Sequence, residues 1–220
     1  YQAAFVIAGS LPGFVFTAMG TDFFPRVAAV KTEAEAQDLC EKQIQAGLLL
    51  ALPLIAGLLT LGQFCIYLLY ARSFEPAIPL LPWMIWGIFF RLFSWPMGFW
   101  LIARGSSRAV VIVTAATNTS AILFPVVLLL LYGVTGAAIG FLISCIGSTV
   151  IIIMVSRRRS GRWLSVPTLR WFALGAVALG LSQFLVTWLN GPYWGLVPTS
   201  IISMVCAWIY YRTLRREKSP

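Results

Sequence analysis

Long apolar runs dominate this sequence and restrict the folds open to it. They follow one another along the chain, separated by short polar connectors, at 3–24, 44–70, 78–103, 110–132, 136–155, 171–189 and 193–211. A helix needs about 20 mostly apolar residues to cross a bilayer. The runs are continuous rather than alternating, which favours helices over the strands of a membrane barrel. The sequence therefore predicts an all-α, polytopic membrane protein with about seven transmembrane helices.

Composition supports this class and excludes several functions. Of the 220 residues, 60% are hydrophobic and only 10% are charged, whereas soluble domains carry about 25% charged residues. The net charge of +9 would suggest a nucleic-acid partner in a soluble protein, but here we expect none. The chain has no histidine, and its four cysteines are scattered singly. We therefore expect no metal site, no disulfide framework and no cofactor.

The distribution of positive charge predicts an orientation in the membrane. Alternate connectors and the C-terminal tail hold all but two of the 16 basic residues, the exceptions being Arg72 and Arg91. Cytoplasmic connectors are enriched in Lys and Arg, so we expect a cytoplasmic C-terminus. Residues 1–156 are predicted to form a five-helix transmembrane bundle with a cytoplasmic surface helix near 28–43. Residues 157–220 are predicted to form a basic cytoplasmic loop, two trailing transmembrane helices and a cytoplasmic tail.

Arg91 is the single charge in the run 78–103 and lies near its middle. An arginine at bilayer depth costs at least ~2.5–3.5 kcal/mol, so it should face protein, a partner or water. At helical spacing it shares one side with small and polar residues, including Ser94 and Trp95. Its planar fork suits phosphate or carboxylate, so Arg91 is a candidate anion-binding residue, and Ser94 and Trp95 are candidate substrate contacts beside it. The alternative is structural: Arg91 caps a carbonyl of a neighbouring helix or pairs with a carboxylate.

The next two runs carry polar and small residues at helical spacing. Thr114, Thr117 and Asn118 fall on one stripe of the run 110–132, and a polar stripe within lipid should face protein or water. The turn at 133–136 is short, which predicts that the helices on either side are antiparallel neighbours. The second of them carries small residues that permit close helix approach, namely Gly136, Gly140, Ser144, Gly147 and Ser148.

Two further features suggest movement. Pro12, Pro53 and Pro96 interrupt apolar runs and are candidate hinges, because proline removes a helical hydrogen bond. Asp22 and Arg26 lie four residues apart at the end of the first run. They are a candidate gate pair.

Several sequence stretches together resemble a known family. They are GTDFFPRV (20–27), QAGLLLALP (45–53), LLYARSFEPA (68–77) and LLPW…GIFFRLFSWPMGFWLIARG (80–105). They are similar to the lipid-linked oligosaccharide flippases, the O-antigen and polysaccharide translocases of the multidrug/oligosaccharidyl-lipid/polysaccharide exporter superfamily. The resemblance covers roughly the first half of the chain. The family's acid-Pro-Arg motif corresponds to Asp22, Pro25 and Arg26, and its Trp-Pro to Trp95 and Pro96.

The resemblance implies a two-lobed, alternating-access transporter of the bacterial inner membrane, with this chain as the second lobe and the trailing helices. The N-terminal half of the same polypeptide would precede it. The implied substrate is an undecaprenyl-pyrophosphate-linked oligosaccharide, such as an O-antigen or a capsular or exopolysaccharide repeat unit. Membrane lipids and other polysaccharide-assembly proteins are the implied partners. One position departs from the pattern: where family members tend to have an Asn/Gln pair, this chain has Glu41-Lys42-Gln43, and only Gln43 matches.

Two other functions compete with a flippase. An ion-coupled multidrug or metabolite exporter of the same superfamily would usually use a buried carboxylate, but no Asp or Glu lies in the middle of a predicted span. A membrane-embedded glycan polymerase or ligase would carry catalytic residues on a large outward loop. The predicted outward loops are short, and their only acid is Glu75. We therefore expect a transporter rather than an enzyme, with no catalytic residues.

Overall fold

A computed structural model of the chain describes residues 1–70, 72–104, 107–161, 164–188 and 192–217. The elements in these ranges are α1 (Gln2–Ala29), α2 (Glu33–Leu69), a 3₁₀ segment (Arg72–Leu80), α3 (Leu81–Arg104), α4 (Ser107–Ser160), α5 (Val166–Trp188) and α6 (Pro192–Glu217). No strand occurs among the described residues. The all-α prediction is confirmed. Arg162 of the predicted basic loop, Asn190 and Gly191 between the two predicted trailing helices, and Lys218 of the tail lie outside the described ranges.

Several helices have the length and apolar character of membrane spans. In the described ranges these are α2, the segment 74–103, α4 and α5, with α1 as a fifth if its two bent parts count together. The apolar part of α6, Leu196–Cys206, is shorter. These helices make the chain a multi-pass membrane protein, while the count of seven spans stays a prediction.

The 54-residue helix α4 is a hairpin rather than one straight rod. At Gly133 the backbone leaves the helical region, with φ of 66° and ψ of −154°, a conformation that glycine adopts without steric cost. Beyond it the chain turns back, so that Gly136 and Gly140 lie directly against the backbone of Leu128 and Phe124. We call the two arms α4a (107–132) and α4b (134–160). The antiparallel pair predicted from the short turn and the small residues is therefore observed.

Helix α2 is central and contacts α1, α3, α5 and α6. It begins where the Thr32 hydroxyl accepts a hydrogen bond from the Glu35 amide at 3.3 Å, an N-cap. It then continues to Leu69. Residues 33–43 of the predicted surface helix near 28–43 are helical, and they form the first turns of α2; their place at the membrane surface stays a prediction. The buried stripe of Ala36, Cys40 and Ile44 leads straight into the span, and no helix breaker lies between them.

The three candidate hinge prolines differ in what surrounds them. The segments Gln2–Ser10 and Pro12–Ala29 of α1 meet at an angle of 49°, as expected where Pro12 cannot donate a helical hydrogen bond. Pro53 and Pro96 lie inside α2 and α3, both of which run on past the proline without interruption.

Aromatic packing attaches α5 to the inner face of α3. The Phe172 ring lies with its centroid 4.9 Å from that of Phe89, in a stacked arrangement, and 4.5 Å from that of Phe93. Gly175 lets α5 approach closely, since a Cβ there would lie 3.1 Å from Phe89 and Leu52. This packing buries one side of α3 and directs the opposite side, which carries Arg91, towards α4.

Candidate functional site

One face of α3 forms the first wall of a cavity. Arg91, Ser94, Trp95, Gly98 and Ile102 line it, and their spacing of three, four and seven residues places them on one side of a helix. Arg91 lies near the middle of α3, ~15 Å along the axis from Leu81 at the usual rise per residue. The three predicted substrate-contacting residues therefore share one surface.

The α4 hairpin supplies the other walls. From α4a come Thr117, Asn118 and Ala121, and from α4b come Phe141, Ser144, Cys145, Ser148 and Ile152. The cavity has a volume of about 390 Å³, and we call it the Arg91 cavity. Two groups of residues that were predicted separately therefore line one cavity. They are the Arg91 face of α3 and the polar stripe of 110–132. The serines of α4b join them.

Thr114 is the member of the predicted stripe that does not line the cavity. Its side chain is exposed, and its carbonyl accepts a hydrogen bond from the Thr117 hydroxyl at 3.1 Å. Pro96 is buried on α3 and does not line the cavity either.

The Arg91 guanidinium has no ion-pair or hydrogen-bond partner among the residues that the structure describes. Only its backbone carbonyl is engaged, by the Ser94 hydroxyl at 3.2 Å. The two structural roles considered for Arg91, capping a carbonyl and pairing with a carboxylate, therefore find no partner in the described ranges. A guanidinium has five N–H donors and no acceptor, so these donors face the cavity and its surroundings. The arrangement can accept an anion.

The polar groups opposite Arg91 can supplement it. The Asn118 amide makes no hydrogen bond within the described part of the chain, and it combines donors with an acceptor. The Thr117 and Ser144 hydroxyls donate to carbonyls of their own helices, at 3.1 and 2.7 Å. Their oxygens keep lone pairs that can accept from a ligand hydroxyl.

The predicted gate pair is present as an ion pair on α1. Arg26 Nη1 donates to Asp22 Oδ2 at 3.0 Å, and the two side chains are 57% and 72% exposed. An exposed pair four residues apart contributes little to stability. Its gate role stays a prediction.

A second charged site was missed in the sequence. Glu41 of α2 is 7% exposed, and its carboxylate joins α2 to the start of α5. Its Oε2 accepts from the Ser165 amide at 3.0 Å and from the Thr168 hydroxyl at 2.9 Å. Gln37 donates to Oε1 at 3.3 Å, and Gln45 donates to the Thr168 hydroxyl at 2.9 Å. We call these five residues the Glu41 cluster.

In the Glu41 cluster, the Glu41 carboxylate of α2 caps the N-terminus of α5. The first amides of a helix lack partners within it, and a carboxylate there is favoured by the helix dipole. Ser165 stands immediately before α5, so its amide and the Thr168 hydroxyl present two donors to one carboxylate. The sequence signal was available: Glu41 continues the buried stripe of Gln37, Cys40 and Ile44. Sequence could not show which donors it meets more than 120 residues away.

The fold and the cavity define the class of this protein: a multi-pass helical membrane protein with a cavity between α3 and the α4 hairpin, in which an arginine, an amide and several hydroxyls lie among apolar side chains. Comparisons with protein-family models, with curated proteins and with solved structures found no match. No group of cysteine and carboxylate side chains in the described residues could hold a metal ion.

Proposed function

We propose that this protein translocates a lipid-linked oligosaccharide across the bacterial inner membrane by alternating access, with its C-terminus in the cytoplasm. The substrate would be an undecaprenyl-pyrophosphate-linked repeat unit of an O-antigen or of a capsular or exopolysaccharide. In this proposal the described helices are the second lobe of a two-lobed transporter with about seven spans in this part. Arg91 binds the pyrophosphate, and the lipid tail stays in the bilayer.

The observation that carries the proposal is the Arg91 cavity. A guanidinium without a described protein partner lies on an apolar helix, opposite an uncommitted Asn118 amide and hydroxyls of the α4 hairpin. Charge-assisted hydrogen bonds to phosphate oxygens are about twice as strong as neutral ones. Retaining such a charge at a cost of at least ~2.5–3.5 kcal/mol is expected where a ligand compensates it. The sequence resemblance indicates which phosphate this would be, namely the pyrophosphate of a lipid-linked oligosaccharide.

The two competing functions receive less support from the described residues. An ion-coupled exporter would use a buried carboxylate, and Glu41 is the buried one here. Its oxygens already accept three hydrogen bonds, two of them from the start of α5. We therefore assign Glu41 a structural role. A glycan polymerase or ligase would need catalytic side chains outside the bundle. Glu75, the acid of the predicted outward loops, lies in the 3₁₀ segment Arg72–Leu80, which stands between α2 and α3. This connector is too short to be the large catalytic loop that such an enzyme would carry.

The test is a surface-glycan assay in cells that depend on this protein for export. We expect Arg91→Ala to abolish export while the protein remains in the membrane fraction, and Arg91→Lys to retain part of it. Arg108→Ala is the matched control, because it removes an exposed arginine that does not line the cavity. Wild-type export by Arg91→Ala would refute the proposal. Loss of the protein from the membrane would instead assign Arg91 to the fold.

A further inference from the structure

A second groove lies between α1 and α3, next to the Arg91 cavity. It has a volume of about 550 Å³, and we call it the aromatic groove; its lining is Phe16, Thr17, Gly20, Thr21, Phe24, Pro25, Trp95 and Phe99. Trp95 and Phe99 line the Arg91 cavity as well. The two spaces therefore share a wall made of two aromatic side chains.

Four aromatic rings line the groove in a connected row. The Phe16 and Trp95 centroids are 5.3 Å apart, those of Trp95 and Phe99 4.6 Å, and those of Phe99 and Phe24 6.1 Å. Gly20 makes this row continuous, because a Cβ there would lie 3.1 Å from the Trp95 ring. The Trp95 indole thus rests on the backbone of α1. Its position is fixed by both helices.

The groove combines flat apolar rings with hydroxyl groups. Thr17 donates its hydroxyl proton to the Gly13 carbonyl at 3.0 Å, which leaves lone pairs on its oxygen as acceptors. The Asp22–Arg26 ion pair follows on the same helix. A sugar ring has one face of C–H groups and a rim of hydroxyls. It matches such a lining, since aromatic faces attract C–H groups and the Thr17 oxygen can accept from the rim.

The order of the residues along α3 indicates which part of a ligand would occupy the groove. Trp95 and Phe99 follow Arg91 by four and eight residues, which places them ~6 and ~12 Å further along the axis. They lie towards Arg104, at the end of the bundle that carries basic residues. A lipid tail would leave Arg91 sideways into the bilayer, whereas a headgroup extends towards water. The groove lies on the headgroup side.

We propose that the aromatic groove is the saccharide subsite, which binds the sugar next to the pyrophosphate held at Arg91. This inference rests on the proposed function and adds the residues that recognise the glycan. Phe16, next to Trp95, stacks against this sugar ring, and Trp95 lies between the ring and the charged group. Phe24 lies ~12 Å further along α1, beyond the reach of the same ring. The subsite is selective for a glycosylated lipid over the bare lipid pyrophosphate.

The test measures affinity for two probes, farnesyl pyrophosphate and farnesyl-pyrophosphoryl-N-acetylglucosamine, on protein in nanodiscs. We expect the wild type to bind the glycosylated probe about tenfold more tightly, the gain of one or two aromatic contacts. Phe16→Ala should remove most of that preference and leave affinity for farnesyl pyrophosphate unchanged, whereas Phe24→Ala, at the far end of the groove, should change the preference for a one-sugar probe much less. Phe14→Ala is the matched control, since Phe14 is 75% exposed on the same helix and does not line the groove.

The other possible results test the saccharide subsite and the pyrophosphate role of Arg91 separately. An unchanged preference in Phe16→Ala, or no preference in the wild type, would overturn the subsite. Equal weakening of both probes by this variant would assign the groove to the lipid chain. Arg91→Ala should weaken both probes equally. If it weakens neither while Phe16→Ala still removes the preference, the subsite stands and the pyrophosphate role of Arg91 fails.

Discussion

Glu41 and Arg91 are both charged side chains on long apolar helices, but their surroundings are opposite. The Glu41 carboxylate is 7% exposed and accepts hydrogen bonds from an amide, a hydroxyl and a side-chain amide. The Arg91 guanidinium is exposed to its cavity, and no partner for it occurs in the described ranges. Both oxygens of the Glu41 carboxylate accept hydrogen bonds within the protein, whereas the donors of the Arg91 guanidinium have no described protein partner.

The difference shows how to separate structural from functional charges in a membrane bundle. A buried charge with a complete set of hydrogen bonds holds elements together, and its removal leaves the partners unsatisfied. A charge with free donors adds little to the fold, because its interactions form only when a ligand is present. Stability and transport should therefore respond in opposite ways at these two positions.

The largest expected loss of stability follows Glu41→Ala. This change leaves the Ser165 amide and the Thr168 hydroxyl without their acceptor, and each buried unsatisfied group costs ~1–3 kcal/mol. We expect a decrease of ~2–4 kcal/mol in the free energy of unfolding, measured by chemical unfolding in detergent micelles. Glu35→Ala is the control, because Glu35 is exposed on the same helix. Similar losses in both variants would show that the Glu41 cluster does not hold α5.

Thr168→Val should cost about half as much. Valine keeps the shape of a fully buried side chain but cannot donate to Glu41 or accept from Gln45, and each net hydrogen bond contributes ~0.5–1.5 kcal/mol. The same unfolding experiment should give a loss of ~1–2 kcal/mol. In Thr187→Val, the control on α5, the lost hydroxyl bonds only to its own helix in an exposed position, so little change is expected. An unaffected Thr168→Val protein would contradict the network.

Asp22→Asn should have a small effect on stability, because exposed pairs four residues apart contribute ~0.3–0.5 kcal/mol. If the pair acts as a gate, exchanging the charges in an Asp22→Arg, Arg26→Asp double variant should restore export that each single change reduces. Export by the double variant that is no better than by either single one would argue against a gate.

Arg91→Met should cause no loss of stability and the largest loss of transport. The guanidinium has no described partner to leave unsatisfied, so we expect the free energy of unfolding to stay equal to that of the wild type or to rise, by at most the ~2.5–3.5 kcal/mol that the charge costs at bilayer depth. Export of surface glycan should be lost. A destabilisation like that of Glu41→Ala would place Arg91 with Glu41 as a structural charge and remove the contrast between them.

Much of the fold and of the Arg91 cavity could be predicted from the sequence, because both depend on local periodicity. Helical spacing places Arg91, Ser94 and Trp95 on one side of α3 and Thr117 with Asn118 on one side of α4a. The glycine at 133 and the small residues after it predict the hairpin. The short connection at Gly133 makes α4a and α4b neighbours, so the polar stripe of α4a meets the small and polar residues of α4b.

The rest depends on contacts between distant residues, which periodicity does not encode. Nothing local shows that Glu41 meets the start of α5, or that Gly20 of α1 accommodates the Trp95 ring. The continuity of α2 is a further case: the polar residues at 33–43 and the span after them form one helix, with Ala36, Cys40 and Ile44 buried along it.

The α4 hairpin also has a consequence for biogenesis. All walls of the Arg91 cavity come from residues 91–152, so the whole site is available for assembly once this continuous segment has left the ribosome. Glu41, in contrast, is synthesised more than 120 residues before its partners on α5. The Arg91 cavity can therefore form early during membrane insertion, whereas Glu41 can cap α5 only after the trailing helices have been inserted.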